Sequence, residues 1–209
     1  MCRSQATLMM GERATAIPED QSVMPSIIEV ARALAGSDDT GFVLSRDLTL
    51  VRTNPAWTRF ATANGGTEML DRYGRGSSVL QAIPAILRPF YEQGYARALA
   101  TKERWEHDYE CSSPDRYRRF RMLVYPIDSQ FLAVVNASII DVAHDREPSP
   151  ADAARYTTDG VIAMCSHCRR VRNPAGVRRW DWVPRFVALQ PPNLSHGLCD
   201  ACTPIYFPP

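Results

Sequence analysis

The sequence lacks the features that would commit it to a membrane, a polyanion or a catalytic reaction. No apolar run approaches the roughly twenty residues of a transmembrane helix. The net charge of +1 gives no general attraction to nucleic acid or to a membrane surface. Met1 to Met10 holds one Arg and no sustained apolar run or cleavage site, so a cytoplasmic protein with reduced thiols is expected. There is no Gly-rich phosphate loop, nucleophile elbow or kinase signature, and no kinase, cyclase or helix-turn-helix output domain is recognisable. A non-enzyme is therefore expected. No internal repeat of solenoid length is present. The 209 residues suffice for one ordinary domain plus a small appendage. The 16 prolines gather in linkers and in the C-terminal segment, as punctuation between compact units.

What is present is cysteine in pairs. Cys165-Ser-His-Cys168 is followed, after thirty residues, by Cys199-Asp-Ala-Cys202. Each pair can place two thiolates on one ion, and two pairs complete the tetrahedral four-sulfur shell that zinc favours. Between them, Asn173-Pro-Ala-Gly176 reads as a turn. Trp180, Trp182, Val183, Phe186, Val187 and Leu189 offer a small core. In a segment this small, metal binding is free energy of folding. Disulfides are the covalent rival, which reduced thiols disfavour. His167 and His196 lie near enough to replace a ligand, but four thiolates already fill the shell.

Taken in order, residues 1–21 are polar and aperiodic and read as a mobile tail. Residues 22–37 carry Val23, Ile27, Ile28, Val30, Ala31 and Leu34 at helical spacing, ending at Gly36, and predict a capping or dimerisation helix. Gly41–Ser45 and Leu48–Arg52 read as a hairpin. Asn54 can then cap a helix with Pro55 at its first position, burying Trp57, Phe60 and Ala61. Short helices are expected from Thr67 to Pro84, and a longer one from Ala85 to Thr101. Three strands follow: Arg104–Cys111, Arg118–Pro126 and Phe131–Ile140. In the first, Trp105, His107, Tyr109 and Cys111 share one face, with Glu106, Asp108 and Glu110 on a solvated face opposite. This order predicts an α+β fold: a five-stranded antiparallel sheet with flanking helices over residues 38–143. A linker over 144–159, with a short helix from Ser149 to Tyr156, and a metal-stabilised module over 160–209 complete the chain.

With Asn54-Pro-Ala-Trp57 opening its first helix, this order resembles a PAS domain. Tyr109-Glu-Cys-Ser-Ser-Pro114, Arg119-Phe120, Pro126 and Val134-Val-Asn-Ala-Ser-Ile-Ile140 are similar to the PAS modules of bacterial sensor proteins. Those often read Cys-His-Ser-Pro, where Ser112 stands here in place of the His. The segments Cys165-Ser-His-Cys168-Arg-Arg-Val-Arg172 and Ser195-His-Gly-Leu-Cys199-Asp-Ala-Cys202 resemble a zinc-ribbon-like cysteine module at the ends of bacterial PAS and response-regulator proteins. Paired knuckles also resemble rubredoxin-type iron sites. There a Gly usually follows the second Cys, whereas Arg169 and Thr203 follow it here.

The resemblance implies a pocket between sheet and helices that holds haem, flavin, a small metabolite or nothing. Trp105, His107, Tyr109 and Cys111 are the candidate lining residues, with a packed histidine and an inert buried thiol as the plainer reading. Three functions are ranked. The first is a bacterial signalling adaptor that senses a ligand or forms a homodimer, meets an unknown signalling partner and carries structural zinc. The second is a zinc-containing nucleic-acid-binding regulator. In it Arg169, Arg170, Arg172, Arg178 and Arg179 would neutralise phosphates, while Trp180 and Trp182 stack on bases. A thiol redox switch comes third.

Overall fold

Residues 26–208 are described by the structure, a computed structural model, and they build two β-sheets joined through shared side chains. The tail expected over 1–21, and the first residues of the helix expected from 22, lie outside the described residues. Helix α1 (Ile27–Ala35) starts at a capping box. The Ser26 hydroxyl accepts from the Glu29 N–H, and the Glu29 carboxylate accepts from the Ser26 N–H at 2.8 Å. Strands β1 (Thr40–Ser45) and β2 (Leu50–Thr53) form the hairpin, with Leu48 at φ 57° in its turn.

Asn54 does more than cap α2 (Pro55–Ala63). Its Oδ1 accepts from the N–H groups of Trp57 and Gly41, each at 3.0 Å. Its Nδ2 donates to the carbonyls of Leu34 at 2.9 Å and Asp39 at 2.8 Å. One buried amide thus fixes the end of α1, the start of β1 and the start of α2. The residue that α2 buries is Ala56; Trp57, Phe60 and Ala61 are half-buried, with Trp57 edge-on to Phe42 of β1. Helix α3 (Thr67–Arg72) and 3₁₀ turns at Val79–Ala82 and Ala85–Leu87 lead to α4 (Arg88–Thr101), which buries Tyr91, Gly94, Tyr95 and Ala98.

Strands β3 (Trp105–Glu110), β4 (Arg116–Pro126) and β5 (Phe131–Ala143) complete an antiparallel sheet in the order β2-β1-β5-β4-β3. This is the five-stranded antiparallel sheet with flanking helices that the order of elements predicts. Both faces of its centre are covered, which explains why Phe42, Val43 and Leu44 are buried in succession. Phe42 and Leu44 join Tyr91, Tyr95, Val124 and Val134 under α4, while Val43 meets Leu34 of α1 and Ala133 on the other face.

The second sheet has its own core of Tyr156, Ile162, Met164, Val171, Val183 and Phe186. It is reached through α5 (Ala153–Tyr156), which starts at an Asp152 cap rather than at Ser149. Residues expected in a linker are built into this sheet. Ser149 N–H donates to the Trp182 carbonyl at 2.7 Å, and buried Tyr156 donates to Asp181 at 3.0 Å. Strands β6 (Thr157–Thr158), β7 (Val161–Cys165), β8 (Val171–Arg172) and β9 (Trp180–Asp181) pair antiparallel. After α6 (Pro184–Ala188), β10 (Leu194–Gly197) returns parallel to β7, with Gly197 beside Cys165. Leu189, expected in the small core, is 65% exposed at the C-terminal end of α6. Helix α7 (Thr203–Tyr206) ends the described chain, and its Tyr206 is buried in the first core. No helix among the described residues is long and apolar enough to cross a membrane.

Candidate metal centre and adjoining cavity

Because β7 and β10 run parallel and in register, the two knuckles that follow them open at the same end of the sheet. The Sγ atoms of Cys165, Cys168, Cys199 and Cys202 all lie within 4.8 Å of one another, and all four residues are buried. Cys168 and Cys199 sulfurs are 3.8 Å apart. A tetrahedron with metal–sulfur bonds of about 2.3 Å has sulfur–sulfur edges of about 3.8 Å. The residues therefore fit a four-thiolate metal ion. The Cys199 N–H points at the Cys165 sulfur at 3.4 Å, as a charged thiolate requires. Hydrogen bonds from Cys168, Cys199 and Cys202 hold the Cys165 thiol well below its ordinary range, while bonding to Cys165 pushes Cys202 up. A bound cation would let all four thiols ionise.

The first knuckle turns through Arg169, whose φ is 61°. This is the left-handed region where glycine is at ease, so an arginine here is held at a cost of about 1–2 kcal/mol. Thr203, after the second knuckle, instead starts α7.

Arg169 and its neighbour Ser166 form one wall of a cavity of about 210 Å³. The opposite walls come from the first sheet and its helices, including Trp57, Tyr91, Tyr109, Met122 and Asn136, and Tyr206 of α7 also lines the space. The Tyr109 hydroxyl donates to the Asn136 side chain at 3.0 Å. Cys111 lines the cavity just past the end of β3, and burial pushes its thiol above the ordinary value, away from the reactive thiolate.

Trp105 and His107 are not among the cavity's lining residues. His107 packs against Phe90 at 4.7 Å and Tyr206 at 5.3 Å between ring centroids, parallel to Trp105. Burial lowers its pKa to about 4, and its Nε2 has no hydrogen-bond partner. Of the strand carboxylates expected on a solvated face, Glu110 is buried. It accepts from Ser112 at 2.6 Å and pairs with Arg146 at 2.7 Å, because the second sheet closes over that end of β3. Nothing in its alternation distinguishes it from Glu106. Arg146 was likewise not singled out by sequence reasoning, since its partners lie on two separate units.

The arginines of the second sheet are divided among different tasks. Arg179 pairs with Asp181 at 2.9 Å and Arg178 lies 4.0 Å from Asp200, while Arg170 and Arg172 are exposed. Burial acts to raise the Asp181 carboxyl, but hydrogen bonds from Arg179, Asn173 and Tyr156 together hold it below the ordinary value. Trp182 is buried against His144 and Arg146, so it is not free to stack on bases as the nucleic-acid reading required, while half-buried Trp180 packs on the cysteine cluster. His167 Nδ1 lies 2.8 Å from the Tyr206 hydroxyl rather than joining the sulfurs.

No protein-family model matches the chain, and no curated protein matches it. The solved structures similar to it include PAS domains. A domain of an HTR-like protein from Haloarcula marismortui is 16% identical over 50% of this chain and 100% of its own, with a TM-score of 0.38. The PAS domain of a Colwellia psychrerythraea protein is 12% identical over 52% of this chain and 92% of its own, with a TM-score of 0.39. The PAS domain of Bordetella pertussis BvgS is 14% identical over 53% of this chain and 82% of its own, with a TM-score of 0.34. The strand order and the helices packed on the sheet define the architecture without these matches.

Proposed function

We propose that the chain is a signalling adaptor that acts by binding rather than catalysis. Its PAS-like unit, over residues 38–143, holds a small ligand, and a zinc-stabilised module over 160–209 reports the occupancy. One observation carries this reading: Ser166 and Arg169, both within the first cysteine knuckle, line the same cavity as Tyr109 and Asn136 of the sheet. A ligand there touches the knuckle directly, so anything that shifts the knuckle alters the ligand site and the reverse. Zinc on Cys165, Cys168, Cys199 and Cys202 would tie the ends of β7 and β10 together and supply folding free energy. Ile28, Ile139 and Val142 are exposed apolar residues that suit association with a second copy or a signalling partner.

The testing experiment is metal analysis with a visible absorption spectrum on freshly purified full chain. One zinc per chain without colour is the expected result. Iron with visible absorbance would replace zinc by a rubredoxin-like or haem reading, and a metal-free protein would remove the site.

A further inference from the structure

The charges that border the cavity are already answered. Glu110 is held by Arg146 at 2.7 Å and accepts from Ser112 at 2.6 Å. Four thiolates around a divalent ion keep two negative charges net, and Arg169, next in the chain to Cys168, offsets part of them. An anion would meet that excess behind Arg169, and a cation would meet Arg169 itself. Burial raises Tyr91, Tyr109, Tyr206 and Cys111 above their ordinary values, so these lining side chains stay uncharged. A charged ligand would give up its hydration with no free countercharge to replace it.

One polar group is left to recognise a ligand. Asn136 is 4% exposed and shares the face of β5 that carries Leu132 and Val134 into the core under α4. Tyr109 donates to its Oδ1 at 3.0 Å, while its Nδ2 has no hydrogen-bond partner among the described residues. That Nδ2 keeps accessible surface, unlike the sealed Nε2 of His107. A buried amide donor without an acceptor is costly, and a ligand oxygen would satisfy it. Phe42, Trp57, Leu87 and Met122 supply apolar walls. An apolar cavity of about 150 Å³ holds one benzene ring. At about 210 Å³ this one admits a single ring with a short substituent. We infer that the cavity binds a small uncharged aromatic molecule whose carbonyl or hydroxyl oxygen accepts from Asn136 Nδ2. The inference rests on the adaptor reading for the cavity being a ligand site, and adds the ligand's chemical class and the residue that selects it.

The test is isothermal titration of the zinc-loaded full chain with acetophenone, its near-isosteres benzoate and α-methylstyrene, and benzylammonium. Acetophenone is expected to bind, with benzoate and benzylammonium at least about tenfold weaker. Asn136→Leu, of similar volume, should weaken acetophenone about fivefold and leave α-methylstyrene unchanged or tighter. Ala82→Trp, at an exposed lining position, should weaken both neutral probes by filling the cavity from its rim. That arm and the comparison of charged with neutral probes stand even where Asn136→Leu does not fold. A charged probe that binds as tightly as acetophenone, equal losses of both neutral probes in a folded Asn136→Leu, binding untouched by Ala82→Trp, or no binding by any probe overturns the inference. A second measurement separates the ligand from the adaptor reading: the rate at which a chelator strips the metal, with and without acetophenone. Asn136-dependent binding with an unchanged stripping rate upholds the ligand class and removes the coupling that the adaptor reading needs.

Discussion

Arg146 donates to the Glu110 carboxylate at 2.7 Å through one terminal nitrogen and to the Cys168 carbonyl at 2.8 Å through the other. The two side chains are 11% and 6% exposed, so the pair sits inside the junction between the sheets. A buried pair adds little by existing, but removing one partner strands the other charge. Arg146→Met is expected to lower unfolding free energy by about 3 kcal/mol in urea denaturation. Adding Glu110→Gln should recover most of that loss. A double variant no more stable than the single one would show that Arg146 acts through the Cys168 carbonyl or through its contact with the Trp182 ring.

Gly94 on α4 faces the ring of Trp105, and a Cβ built there collides with it. Gly94→Ala should therefore cost about 2 kcal/mol despite the better helix propensity of alanine. Trp105→Phe in the same chain should relieve part of the loss, read as a rise in thermal midpoint over Gly94→Ala alone.

His107 gives the fold a pH signature. Burial lowers its folded pKa to about 4, from 6.5 for the free side chain. The unfolded chain takes up the proton first, so this contribution to stability is full above pH 6.5 and is lost as pH falls toward 4. Its slope reaches about 1.4 kcal/mol per pH unit. Against His107→Phe, the stability difference should stay constant above pH 6.5 and shift steadily in favour of the variant down to pH 4. Comparing the two proteins cancels the acid lability of the cysteine site.

Cys199→Ser should reduce bound zinc to near zero and collapse the near-UV signal of Trp180 and Trp182. The far-UV signal of α2 and α4 should largely persist, because their core is apolar and complete within the first sheet apart from Tyr206 and half-buried Leu198. Coincident loss of both signals would show that the first sheet does not stand without the second.

Local chemistry was legible in the sequence; long-range company was not. Asn54-Pro55 announced a helix start because capping is settled within four residues, and the Cys-x-x-Cys pairs announced four close sulfurs because spacing alone constrains them. The alternation from Trp105 to Glu110 identified a strand, yet it could not say which face the second sheet would cover. Glu110 therefore read as solvated, and His107 could not be told from a ligand. Tyr156 and Ser149 looked like linker because their partners, Asp181 and Trp182, are about thirty residues away. Tyr206 follows the last cysteine but is buried among residues of α4 and β3, a placement that no local pattern encodes.

The parallel pairing of β7 with β10 changes what the thirty residues between the knuckles mean. Parallel neighbours need a return path, usually a dozen residues or more. The intervening chain is the detour that brings the second pair back to where the first began. Its turn between β8 and β9 carries Val177, which is 95% exposed. Chain length at the exposed tip of that turn can change while β7 and β10 keep their pairing. A protein with a longer or shorter detour would look like a different cysteine pattern on paper while presenting the same four atoms in space.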